Sequence, residues 1–334
     1  MVGLHAAASF LPVLLFLVIL RSVDPYRLVN LRSLGAALVG GCGAAVLAYF
    51  ANSGVREALS LTDLALSRYA GPLIEEILKG GVIGILLWRN RAGFLVDAAI
   101  LGFGVGAGFA VVENLYLITT RDFDLATWIV RGFGTAIMHG GATTVFAILT
   151  KMMEERKGRV TWHGLLPALV AAFVIHSAYN HFVLPPLIST AVIALSVPVL
   201  VGVIFSRSEA ATRAWITDGF DADQEVIRLL ETGVLSDSRV GEYLSELKAR
   251  FPGEVLVDML CLVRLEAELS IRAKGMLMMR EAGFDPKPDD AMKARIAETQ
   301  YLEDSIGAVG RMALDPFLRV HGKESWQRGI LGVS

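Results

Sequence analysis

Cysteine is nearly absent from the chain, and charge is nearly absent from its first two-thirds. Cys42 stands in an apolar block and Cys261 in a charged tail, which excludes a disulfide framework and a CxxC redox or metal site. The formal net charge is −2, and so balanced a chain gives no reason to expect nucleic acid as a partner. Strand-like alternation is scarce. No HExxH stretch occurs, so any metal site has to be assembled between helices rather than read from one. The first apolar block has no basic region before it and no small-residue cleavage site after it. It therefore reads as a retained helix, not a signal peptide.

What the chain does have is apolar residue in long runs. Hydrophobic residues make up 54% of it, and they collect in blocks near the length that spans a bilayer as a helix. About seven spans are expected, at 4–20, 33–51, 72–88, 94–119, 127–150, 164–184 and 186–205. Basic residues fix their direction. Arg21, Arg27, Arg32, Arg89, Arg91, Lys151, Arg156, Lys157, Arg159, Arg207 and Arg213 fall in one set of loops. Only Arg56, Arg68, Arg121 and Arg131 fall in the other. By the positive-inside rule the N-terminus lies outside and the tail in the cytoplasm of an inner-membrane protein. The expected fold is an all-α polytopic membrane bundle over 1–206, with a soluble helical domain over 207–334.

Several polar residues sit inside these spans, where each is expensive. "GPLIEEILKGG" puts Glu75, Glu76 and Lys79 into the third span, with Lys79 at ion-pair spacing from both acids. "FAVVENLY" gives Phe109, Glu113 and Asn114 in the fourth, "IMHGGAT" gives His139 in the fifth, and "HSAYNHF" gives His176, Asn180 and His181 in the sixth. At 1.5 Å rise per residue they share one layer, from the outer surface to the bilayer middle. A lone buried His or Asn commonly just bonds a neighbouring helix, and Glu76 with Lys79 can be a structural ion pair. The whole set converging on one layer points instead to a pathway or a reactive site. The glycines of "GFGVGAGF" allow close helix approach. They lack the strand–turn–helix setting of a dinucleotide loop.

A glutamate in an apolar pocket can take a proton from water as general base, while His and Asn side chains hydrogen-bond a developing oxyanion. The same residues, Glu75, His139 and His176, are equally able to hold zinc, which would itself activate the water. Residue types alone do not separate these mechanisms. A transporter or channel using the cluster as a proton or cation relay is the rival reading. No internal repeat of the transporter kind is evident between spans one to three and four to six. A receptor or scaffold whose cluster only fixes packing is a further rival.

Taken in order, "EEILK", "FAVVEN", the lone His139 and "HSAYN" resemble the motif series of the PrsW family of intramembrane proteases, itself related to the CAAX-processing and bacteriocin-processing membrane proteases. The resemblance covers about residues 70–185. It implies site-1 cleavage of membrane-anchored proteins, such as anti-sigma factors, near the outer face. It also implies Glu75 as the water-activating base, with Glu76 as its partner or the mate of Lys79. His139 and His176 become water- or oxyanion-binding groups, and Asn180 completes the oxyanion hole. The CAAX-type relatives carry an EExxxR motif where this chain has Glu75, Glu76, Ile77, Leu78 and Lys79, and a His where it has Glu113. Phe109 is expected to pack, and Asn114 to bond a neighbouring helix.

In the tail, Ser236 and Asp237 are expected to cap a helix and Gly283 to end one. Met276, Met278 and Met279 are expected to fill a core, and His321 to lie on the surface. A cytoplasmic partner for this region is not identified by the sequence.

Overall fold

A computed structural model describes residues 2–22, 24, 26, 28–89, 91–157, 161–232, 239–318 and 331. Arg27, Arg159, the Ser236–Asp237 cap and His321 lie outside the described residues. Among the described residues the chain is helical throughout, without strands. It divides into two compact units, Met1–Glu209 and Ala210–Ser334.

The first unit begins with α1 (Val2–Ser22) and α2 (Leu31–Ala58), then a short helix α3 (Asp63–Ala65) running through a π-helical turn, Leu66–Ala70, into α4 (Gly71–Trp88). Next come α5 (Leu95–Thr120) and α6 (Leu125–Ile129), which passes through a second π-helical turn, Val130–Thr135, into α7 (Ala136–Lys157). Then follow α8 (Trp162–Asn180) and α9 (Pro186–Thr232). Among the described residues, five helical stretches are long and apolar enough to cross a membrane: Gly3–Ser22, Leu31–Ala58, Leu95–Thr120, Leu125–Glu155 and Pro186–Arg228. The other two expected spans form α4 and α8. Within its 18 residues α4 carries Glu75, Glu76 and Lys79, and the apolar stretch of α8, Gly164–Asn180, is shorter than the rest. Length and composition thus give five spans against the seven expected.

Helix starts are capped by the residues chemistry favours. Asn30 Oδ1 accepts from Ser33 N at 2.7 Å at the head of α2. Asp97 Oδ2 accepts from Gly93 N at 2.8 Å and Phe94 N at 2.9 Å at the head of α5. Asn30 satisfies an amide that its helix leaves orphaned, and Asp97 reaches back from the first turn to the amides that precede it.

Helix α5 is the buried centre of the bundle, and its glycines divide into two stripes. Gly104 and Gly108 face α2; a β-carbon on Gly108 would lie 2.1 Å from the Leu38 carbonyl oxygen. Gly102 and Gly106 face α7; a β-carbon on Gly106 would lie 2.3 Å from the carbonyl oxygen of His139. Backbones this close leave room for hydrogen only, which is how small residues hold helices together in lipid. Gly41 of α2 meets Val105 O in the same manner, at 2.0 Å for the added carbon. These contacts fix the carboxylate of α5 against the imidazole of α7.

The second unit contains the later part of α9 with α10 (Arg239–Arg250), α11 (Gly253–Glu281) and α12 (Asp290–Leu318). Met259, Leu262, Leu277 and Leu314 are fully buried, and Lys274 Nζ, also buried, donates to Asp223 Oδ2 at 2.5 Å. Helix α11 closes as a Schellman motif. Gly283, with φ of 90°, donates to Arg280 O at 3.0 Å, and Phe284 N donates to Met279 O at 2.9 Å. The methionine expectation needs correcting: Met276 is buried, whereas Met278 and Met279 are 53% and 52% exposed. Neighbouring helical positions are about 100° apart around the axis, so one apolar stripe cannot take all three.

Candidate active site

The polar residues of the bundle meet at one end, where α4 and α7 begin and α5 and α8 approach their finish. Glu76 is the hub. Its Oε1 accepts from Lys79 Nζ at 2.5 Å and from His176 Nδ1 at 2.8 Å, while Oε2 is buried with no hydrogen-bond partner among the described residues. Lys79 also donates to His139 Nδ1 at 3.1 Å. An ammonium only donates, so Nδ1 of His139 is an acceptor and its proton is on Nε2. That proton goes to Glu113 Oε2 at 3.0 Å.

The chain of contacts runs on at both ends. Glu113 Oε1 pairs with Arg131 at 2.9 Å, Arg131 Nε donates to Asn114 Oδ1 at 2.9 Å, and Asn114 Nδ2 donates to the Ser9 carbonyl of α1 at 3.3 Å. At the other end His176 donates from Nδ1 to the Glu76 carboxylate, and its Nε2, a lone pair in the neutral imidazole, lies 3.8 Å from Glu75 Oε2. Glu75 Oε1 accepts from Asn52 Nδ2 of α2 at 3.3 Å. Glu76, Lys79, His139 and His176 are almost wholly buried. The Glu75 side chain keeps 18% of its exposure and that of Glu113 keeps 35%. Phe109 packs on the cluster, with its ring 5.1 Å from that of His139 and 4.7 Å from Lys79 Nζ.

The donor atoms of Glu75, His139 and His176 all lie within 4.8 Å of one another. One carboxylate and two imidazoles are a normal zinc donor set. The Nδ1–H of His176, bonded to Glu76, is the kind of support that orients a metal-binding imidazole. In His139 the corresponding lone pair is held by Lys79.

Asn180 stands apart from this cluster. Its Nδ2 donates to Ser67 O at 2.9 Å, one turn beyond His176. Ser177 Oγ donates to Arg68 O at 2.6 Å, and His181 Nε2 meets the Tyr69 hydroxyl at 3.1 Å. Ser67, Arg68 and Tyr69 belong to the first π-helical turn. Such a turn interrupts the regular ladder and frees carbonyls for side chains, a device found at functional sites.

Sequence reasoning had no place in the site for Asn52 and used Arg131 only as a loop charge. Each carried a signal. Arg131 is a charge within the expected span 127–150. Asn52 follows the expected end of span two at once, and α2 in fact continues to Ala58.

A cavity of about 390 Å³ opens beside the cluster between α2 and α5, with Glu75 and Glu113 in its wall. Its other lining residues are apolar or aromatic apart from Asn52.

A family model described as PrsW family intramembrane metalloprotease matches residues 29–206. No curated protein matches the chain, and no solved structure does. The match takes in more than half of the chain, including every helix that brings an acid or imidazole to the cluster. On that ground the chain belongs to the PrsW family of intramembrane proteases, and is an integral membrane enzyme that hydrolyses peptide bonds in membrane proteins.

Proposed function

We propose that the enzyme is an endopeptidase that cuts membrane-anchored proteins, with anti-sigma factors as the class the family resemblance suggests, at the outer end of their spans. The reading takes about seven spans, an external N-terminus and a cytoplasmic tail. The observation that carries it is the Glu75–His139–His176 cluster, brought together from three helices, with Glu75 in the wall of a cavity.

Between the adjacent acids, geometry favours Glu75 for the chemistry. Glu76 is buried, and its Oε1 is committed to Lys79 and His176; it is a positioning residue. Glu75 keeps access to the cavity, faces the free lone pair of His176, and is steered by Asn52. A water between Glu75 and His176 would give its proton to the carboxylate and attack the substrate carbonyl carbon.

Glu75, His139 and His176 would also be the residues that hold a metal. A zinc ion held there would supply a water of lowered pKa and polarise the carbonyl. Both nitrogens of His139 are engaged, Nδ1 by Lys79 and Nε2 by Glu113, so His139 would have to give up one of these partners to hold a metal. Glu113, paired with Arg131 and His139 and lining the cavity, would hold the His139 ring in place. Asn180, bonded to the π-helical turn, acts by fixing α8 against the start of α4; the oxyanion role considered for it is not retained.

The test is cleavage of a panel of single-span fusion proteins by purified enzyme in liposomes. Wild type is compared with Glu75→Gln and His176→Ala, each with and without chelator, and metal content is measured by mass spectrometry. Cleavage by wild type and its loss in both folded variants is the expected result. Loss on chelation, with recovery on added zinc and reduced zinc in both variants, assigns the metal version. Unchanged cleavage in both variants removes these residues from the mechanism.

A further inference from the structure

We infer that the α2–α5 cavity is the substrate groove, and that its occupant is an unwound, extended stretch of a membrane-anchored protein entering from the lipid, anchored by its main chain on Asn52. This rests on the protease reading above and adds the route and conformation of the substrate.

The groove follows from helix packing. Helices α2 and α5 touch backbone to backbone at Gly41 against Val105 and at Gly108 against Leu38. Beyond that crossing they meet again through the Tyr49 and Tyr116 rings, with centroids 5.2 Å apart. The alanines Ala45 and Ala48 leave the space between them unfilled, and Phe109 closes its inner side. The volume of about 390 Å³ falls within the range of about 300–1,000 Å³ usual for ligand sites. At the rim, Val46 and Tyr49 of α2 and Tyr116 of α5 are each close to half-exposed. The cavity therefore opens sideways, on a face that an apolar chain meets from the bilayer.

Asn52 decides what enters. Its Nδ2 is spent on Glu75, and its Oδ1 is a buried acceptor with no hydrogen-bond partner among the described residues. A buried orphan acceptor is costly and calls for a donor. A lipid acyl chain has none. An intact substrate helix has none either, because its amides are already bonded within the helix. An unwound peptide offers main-chain N–H groups at an extended spacing of about 3.3 Å per residue. It presents apolar side chains to the alanine floor at the same time. One N–H on Asn52 Oδ1 then sets a neighbouring peptide bond beside Glu75, in the conformation that hydrolysis requires.

The experiment places a photo-crosslinking amino acid at Val46, at Tyr116 or, as a lipid-facing control on α9, at Val199, in the full chain in liposomes. The background is Glu75→Gln, and the probe is an epitope-tagged panel of single-span fusion proteins, with cleavage of the same panel by wild type scored in parallel. The expected result is probe capture from Val46 and Tyr116 at least tenfold above Val199, mapping to the outer end of the span. Probes carrying a helix-breaking Gly-Pro there should be captured and cut better than those with a run of leucine. Val46→Trp, a change at an exposed rim position, should reduce capture at Tyr116. In the active enzyme, Asn52→Ala should lower kcat/KM about tenfold, the size of one hydrogen bond. Cleavage by wild type with capture no greater in the groove than at Val199 overturns the groove and leaves the protease standing. Groove capture without any cleavage leaves the groove standing and counts against the protease. Equal capture of leucine-run and helix-breaking probes overturns the extended conformation.

Discussion

Two lysines, one in each unit, are withdrawn from solvent and donate to a carboxylate at 2.5 Å: Lys79 to Glu76 and Lys274 to Asp223. Locally the two pairs look alike, yet their surroundings differ. The Glu76 carboxylate is itself buried, shares its bonded oxygen with His176, and keeps its other oxygen unpartnered. Lys79 in turn holds an imidazole nitrogen. Asp223 retains 11% side-chain exposure, so water can compensate part of its charge. A buried pair by itself is weak evidence of function or stability. What separates the pair in the bundle is its link to two imidazoles and to a second acid at a cavity wall.

Breaking the reactive side of this comparison gives the largest effect. Glu75→Gln should lower kcat/KM by about 10²–10⁴-fold without altering the thermal midpoint of the detergent-solubilised enzyme by more than a few degrees. A rate within threefold of wild type would remove Glu75 from the chemistry. Next is Lys79→Met against Lys274→Met. The first strands Glu76 in a dry site and should destabilise the bundle by about 3–5 kcal/mol, with cleavage lost. Adding Glu76→Gln should recover much of that stability but not the cleavage, because His176 then lacks its ionised partner. The second should cost the tail about 1–3 kcal/mol in denaturant unfolding, while cleavage per folded molecule stays at the wild-type level. Equal loss of cleavage in both would mean that the pairs are not functionally distinct.

The smallest effects come from paired glycine changes. Gly106→Ala drives a methyl group toward the carbonyl of His139 and should cost about 1–3 kcal/mol by overpacking, with a measurable fall in cleavage as His139 moves. Gly275→Ala on α11 meets nothing within 4 Å and should stabilise the tail by up to about 1 kcal/mol. Opposite signs in the two melting curves are the expected signature.

The all-helical fold was legible because long apolar blocks have few alternatives. Glu75, Glu76, Lys79, Glu113, His139 and His176 stood out because charge and imidazole are conspicuous against an apolar background. Residues at helix ends were harder to place. Polar groups there are ordinary, so Asn52 looked like the edge of a span and Arg131 like a topology signal, until long-range packing put each beside a carboxylate. Spacing of four put Asn180 on the same face as His176, but a turn is 5.4 Å of rise, enough to move it from the cluster to the backbone of the preceding turn. Nor could spacing show which nitrogen of each imidazole is free. That depends on a proton held by Lys79 in one case and given to Glu76 in the other.

The two π-helical turns, Leu66–Ala70 and Val130–Thr135, make the enzyme sensitive to chain length where it would otherwise look tolerant. Each absorbs one residue beyond a regular turn before the helix that carries Glu75 and Glu76, or His139. Deleting a single residue from either would let the segment wind as an unbroken α-helix, rotating everything upstream by about 100°. Every motif and every hydropathy average downstream would read the same. With the deletion in the first turn, the seats that Ser177 and Asn180 find on Arg68 and Ser67 would nevertheless be gone. For relatives and designed variants, the number of residues between Thr62 and Gly71 is therefore as informative as the identity of the acids that follow.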